Sequence, residues 1–210
     1  MKSCRLLAAV LTALLAYCTP AFAAEMPDSE AAPSGGDFVL QSADGPVALR
    51  DLRGKVVLLT FGYSYCPDVC PISLGYLSRS LDGLQETEQV GVSALFISVD
   101  PERDTLQHLA EFVRYFHSAL IGVTGSEAEL AEVAGRYGVK YYHVKSPLPG
   151  QPYSISHSAA TYLVNPDGQL QFIFPYETPP GVITEAIRHV QQQRQQSAGE
   201  SAIPHSTTMD

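Results

Sequence analysis

An α/β fold, with a central mixed β-sheet flanked by helices and an N-terminal β-hairpin, is predicted by three observations. A continuous β-branched and apolar run, KVVLLTF at 55–61, and a second segment, VSALFISVD at 92–100, read as strands buried on both faces. Segments with apolar residues at three- and four-residue steps alternate with them, as helices covering a sheet do. Near the C-terminus, SAATYLV and QLQFIF flank the turn NPDG and read as a hairpin.

The elements follow in order. FVLQ and VALRDL flank the turn SADGP, a short hairpin. The first buried strand runs into FGYSYCPDVCP, and Pro71 fits the first helical position of ISLGYLSRSLDGLQ. After the second strand, Asp104 and Gln107 form a capping-box pattern ahead of LQHLAEFVRYF. LIGVTG reads as a short strand. Ser126 and Glu129 cap a helix that ends at Gly138. VKYYHVK is edge-like and SPLPGQPYS a loop. Thr178 is expected to cap a last helix through ITEAIRHVQQQ, with Pro179 or Pro180 near its start. No internal repeat is apparent.

The 210 residues suffice for one domain, expected at 37–190, with a linker at 24–36 and a disordered Gln- and Ser-rich tail at 191–210. Residues 1–23 read as a signal peptide: Lys2 and Arg5, the apolar LLAAVLTALLAYC, then the small-x-small AFA. The rival reading is an uncleaved membrane anchor, for which the run is short. An exported, periplasmic or cell-envelope protein is expected. The net charge is −9, and −11 without those residues, which argues against a nucleic-acid partner.

Cleavage removes Cys4 and Cys18 and leaves Cys66 and Cys70. A pair this close constrains the unfolded chain little, so the thiols are read as reactive rather than as a staple. A cysteine pair at the carboxyl end of a βαβ strand is where thioredoxin-like folds do redox chemistry, and Asp100 stands at a second such end. Each cysteine precedes a proline, so the pair is expected in an irregular turn, with Cys70 at a helix N-terminus that favours thiolate. Thiolate is both nucleophile and metal ligand, so redox and metal roles both remain open. Three intervening residues leave room for an ion, and two soft thiolates with one imidazole suit copper. Among the histidines, His108, His117, His189 and His205 read as ordinary surface, packing or tail residues. His143 is a minor candidate. His157 lies where a long loop meets a core strand, and is either a ligand or a loop residue satisfying backbone groups.

Together FGYSYCPDVCP, SVDPERDT and SHSAATYLVNPDG resemble the Sco (SenC/PrrC) proteins, over about Phe38 to Val190. These are thioredoxin-like copper-binding proteins linked to cytochrome c oxidase assembly. The resemblance implies Cys66, Cys70 and His157 as copper ligands, as Cu(I) or Cu(II), with Asp100 and Asp68 as supporting residues. It further implies copper delivery to the CuA centre of oxidase subunit II, or reduction of that centre's cysteines, with a thiol reductant restoring the pair. Many such proteins are held by a membrane helix, whereas this N-terminus looks cleavable. The expected class is thus a metallochaperone rather than a classical enzyme. The alternatives are a thiol–disulfide oxidoreductase and a redox or copper sensor. A thiol peroxidase lacks support, since LLTFGYSYC has Thr60 but no proline. His205 and Met209 are read as solvated tail residues.

Overall fold

The structure is a computed structural model and describes residues 32–146 and 148–201. The expected signal peptide, linker residues 24–31, and the tail beyond Ser201 with His205 and Met209 lie outside the described residues.

Strands β1 (Val39–Ser42) and β2 (Gly45–Ala48) form the expected N-terminal hairpin. β3 (Val56–Gly62) is buried at all seven positions and lies at the centre of a five-stranded mixed sheet. It pairs in parallel with β4 (Val92–Ser98), which pairs in parallel with β5 (Leu120–Val123). On its other side it pairs antiparallel with β8 (Thr161–Val164), which continues into β9 (Leu170–Phe174). Two short strands, β6 (Tyr141–Val144) and β7 (Ser154–His157), form a separate antiparallel pair in which Tyr141 faces His157. Residues 154–157, within the expected loop and its junction with the hairpin, are therefore a strand.

Side-chain alternation sends Val57, Leu59 and Phe61 of β3 to one core and Val56 and Leu58 to the other. Helices α1 (Val69–Asp82), α3 (Leu106–Phe116) and α5 (Pro180–Ser201) bury Leu77, Leu109 and Ile187 in the second core. α4 (Glu127–Arg136) and the hairpin bury Leu130, Val133 and Leu40 in the first. A short α2 (Glu86–Gln89) precedes β4. Each large apolar side chain so buried contributes about 1.5–3 kcal/mol, which explains the apolar runs at 56–59 and 94–97.

Local signals were met unevenly. Ser126 and Glu129 cap α4 reciprocally, as expected. The cap of α3 is Thr105, whose hydroxyl accepts from the His108 amide at 3.3 Å, and not Asp104, which turns toward the cysteine loop. The Thr178 hydroxyl donates back to the Pro175 carbonyl at 2.7 Å instead of capping α5. α5 does not stop near Gln191 but continues to Ser201, contrary to the expected disorder from residue 191. Gln191 explains part of this, because its Nε2 donates to the Glu88 carbonyl at 2.9 Å, and Arg194 bonds the Gly54 carbonyl. The linker also ends sooner than expected: the Gly35 amide donates to Arg136 O at 3.0 Å and Tyr137 donates to Gly36 O at 3.1 Å.

Candidate metal centre

The site begins where β3 ends. Gly62 is the last residue of that strand, and a Cβ there would lie 2.7 Å from Cys70 Sγ and 2.9 Å from the Phe96 ring. Only a residue without a side chain lets the thiol of α1 rest against the strand end. The loop 63–68 then leads into α1, which starts at Val69 with Asp68 as its N-cap and no side-chain oxygen capping it. Pro71 is the third helical residue rather than the first, and its missing N–H falls in the first turn, where no helical partner exists. Cys66 takes the place of the capping oxygen: its Sγ accepts from the Cys70 backbone N–H at 3.4 Å.

This arrangement moves the thiolate from the expected position. Cys66 is pulled down to about 4, first because the Cys70 thiol donates to its sulfur, then through His157 and the backbone N–H groups of Asp68 and Cys70. Cys70 is held well above the usual thiol range, because it is the donor of that bond, is buried, and faces the charge on Cys66. The helix N-terminus therefore favours the sulfur lying over its amides, which belongs to Cys66, not the cysteine within the helix. Alkylation should report this. One thiol should react at nearly full rate at pH 6 and lose reactivity as pH falls through about 4. Two thiols that both titrate near 8.5, the ordinary value, would contradict the assignment.

His157 completes the cluster from β7. Its ring nitrogen Nε2 lies 3.2 Å from Cys70 Sγ, and its Nδ1 lies 3.0 Å from the Ser158 carbonyl. A carbonyl only accepts, so Nδ1 carries a proton, and Nε2 is the ring nitrogen directed at the sulfurs. The ring meets Tyr63 edge to face, centroids 6.0 Å apart. One donor atom from each of Cys66, Cys70 and His157 lies within 4.8 Å of the others. Two soft sulfurs and an oriented imidazole around one point fit an ion that accepts few ligands. The open question over His157, ligand or loop residue, is thus narrowed by position: it faces the thiols.

The other expected residues stand further back. Asp100 is buried and does not reach the sulfurs. Its carboxylate pairs with Arg103 Nε at 2.6 Å and accepts from the Tyr153 hydroxyl at 2.8 Å. Asp68 is exposed, and it serves Cys66 through its backbone N–H. His143 is exposed on β6, edge to face with Tyr153, outside the cluster. His117 pairs with Asp82 at 3.3 Å, and His189 is exposed on α5. His108 is more than a surface or packing residue: its Nε2 lies 2.8 Å from the Ser64 hydroxyl, and its ring lies against Tyr65.

Sequence reasoning missed the polar support of the loop. Buried Asp104 accepts from the Ser64 amide at 2.9 Å, from the Ser64 hydroxyl, and from Ser98 Oγ at 2.5 Å. It ties the start of the cysteine loop to the end of β4. A capping box and a loop tether look alike in sequence, and the available signal was that Thr105 could cap in its place.

A βαβ core with an antiparallel extension, carrying a buried cysteine pair and a facing histidine at its strand ends, defines a thioredoxin-like protein with a three-donor thiolate–imidazole centre. The SCO1/SenC family model matches residues 26–192, and the chain belongs to that family. It is 42% identical over 144 residues to a mitochondrial SCO1 homologue of Arabidopsis thaliana, covering 68% of this chain. The chain spans only 42% of that plant protein's length. Among solved structures, copper-bound ScoI of Arabidopsis thaliana is 38% identical, with a TM-score of 0.66, covering 77% of this chain and 98% of that one. Copper-bound ScoI of Bradyrhizobium japonicum is 36% identical, with a TM-score of 0.67, covering 74% and 98%. Among the described residues, no helix is long and apolar enough to cross a membrane.

Proposed function

We propose that this protein is an exported copper chaperone that holds copper on Cys66, Cys70 and His157 and passes it to the CuA centre of cytochrome c oxidase subunit II. The observation that carries this reading is the convergence of two thiol sulfurs and an oriented imidazole within 4.8 Å. Family membership and the copper-bound relatives give the ion its identity. Residues 1–23 serve as the export signal on this reading, and delivery takes place in the periplasm or cell envelope, with a thiol reductant keeping the pair open. Copper is the cargo, and the chain's own part is to supply displaceable donors from a buried, preshaped site.

A second reading has its own support in the unequal thiols. Cys66 as thiolate can attack a partner disulfide, forming a mixed disulfide and releasing one partner thiolate. Cys70, giving up its proton, then attacks Cys66 Sγ and releases the second. Two electrons pass to the partner and the Cys66–Cys70 pair ends oxidised. Anaerobic mixing separates the two. Copper-loaded protein should generate CuA absorption in a reduced subunit II domain, with copper lost from this chain in equal amount. If copper stays behind while the reduced apo-protein opens a disulfide in that domain, reductase is the function and delivery is wrong.

A further inference from the structure

His157 sits on a strand outside the central sheet. Among the described residues β7 pairs only with β6, so no ladder fixes the histidine against the cysteine loop. The other edge of β7 is instead held by side chains. Buried Ile155, two residues before His157, donates its amide to the Tyr63 hydroxyl at 3.2 Å. Tyr63 directly follows β3 and stands three residues before Cys66. Arg103 holds the start of the same strand: its Nη1 donates to the Tyr153 carbonyl at 3.1 Å while its Nε pairs with buried Asp100. Its guanidinium lies 3.9 Å from the centroid of the Tyr153 ring, 5.1 Å from that of Tyr65 and 5.5 Å from that of Tyr63. Arg103 Nη2 is buried without a hydrogen-bond partner, as expected where aromatic faces take up part of the cation's solvation.

We propose that Tyr63 and Arg103 are positioning residues for His157, joining the strand that carries the imidazole to the loop that carries the thiols. The Tyr63 hydroxyl stands in for a missing strand neighbour, and the Arg103 fork sets where β7 begins. The proposal rests on His157 being a copper ligand. A planar, five-donor guanidinium meets the carboxylate, the carbonyl and the rings at once, which a lysine ammonium cannot do.

The test compares wild type with Tyr63→Phe, Arg103→Lys and His157→Ala in the full chain. Tyr63→Phe keeps the ring and Arg103→Lys keeps the charge, so both should fold. Each should weaken Cu(II) binding by about 10-fold, the low end of what losing a group that orients a metal ligand costs, because each bonds the strand carrying His157 and not its ring, and should shift the thiolate-to-copper absorption toward that of His157→Ala. The metal-free proteins provide a second readout. Amide exchange at Ile155 should speed up in Tyr63→Phe while amides of β3 and β4 keep their protection. The alkylation pH profile of Cys66 should stay as in wild type. Wild-type Cu(II) binding and spectrum in both conservative variants, with His157→Ala impaired, would overturn the positioning role alone. Exchange speeding equally across β3, β4 and Ile155 would also overturn it, by showing a general structural role. Unchanged Cu(II) binding in His157→Ala would remove the ligand reading and this proposal with it.

Discussion

Copper binding should fall sharply when Cys66, Cys70 or His157 is replaced by alanine, with the cysteines costing more than the histidine. Removing a thiolate takes away a donor and half the charge that offsets the cation. Removing the imidazole leaves two sulfurs that still suit Cu(I). Each cysteine variant should therefore lose Cu(II) affinity by a factor of at least ~1,000, about 4 kcal/mol, with its thiolate-to-copper band changed or gone. His157→Ala should lose Cu(II) more than Cu(I), because Cu(II) prefers nitrogen alongside sulfur. Competition titration with a chelator of known affinity, together with absorption spectra, measures both. Unchanged Cu(II) affinity and spectrum in His157→Ala would shift attention to His143, although that residue lies outside the donor cluster.

Oxidation should abolish binding altogether. A disulfide sulfur carries no thiolate charge, so a Cys66–Cys70 bridge removes two of three donors in one step. It also takes Cys66 Sγ out of its role as acceptor for the Cys70 amide, so the first turn of α1 has to adjust. Fully oxidised protein should bind no copper tightly, and reductant should restore one copper per chain together with two free thiols. The measurement is bound copper and free thiol in the same sample. Stoichiometric tight binding with no free thiol would place the metal elsewhere and sink the ligand assignment. On the proposed reading of an exported protein, a periplasm kept oxidising by kinetics means that the reduced state needs either copper or a reductant to persist.

The central strands were readable from residues alone, because burial on both faces leaves an unbroken apolar run and little else does. The capping box at Ser126 was readable for a similar reason: two short-range bonds need two residues at one spacing. Position across the fold was much less accessible. Nothing local distinguishes Asp104 as a cap from Asp104 as a tether of Ser64 and Ser98, 40 and 6 residues away respectively. The choice of thiolate depended on which sulfur lies over the helix amides, a matter of loop shape that two Cys-Pro steps constrain without fixing. Gly62 gave no signal, since its role is the room it leaves for Cys70. The extension of α5 past Gln191 depends on long-range bonds to Glu88 and Gly54, and a Gln-rich stretch does not advertise those.

The depth of the three donors sets an order of events. His157 is partly buried, Cys66 is 7% exposed and Cys70 1%. On the copper-chaperone reading, an incoming thiolate from another protein would meet the imidazole first, Cys66 next, and Cys70 only after the loop had yielded. Release would then be a stepwise peeling from the outside inward, with Cys70 the last donor to let go. Loading would run in reverse, so the innermost sulfur would hold the cargo against small solutes while the outer two donors stayed open to exchange with a docked protein.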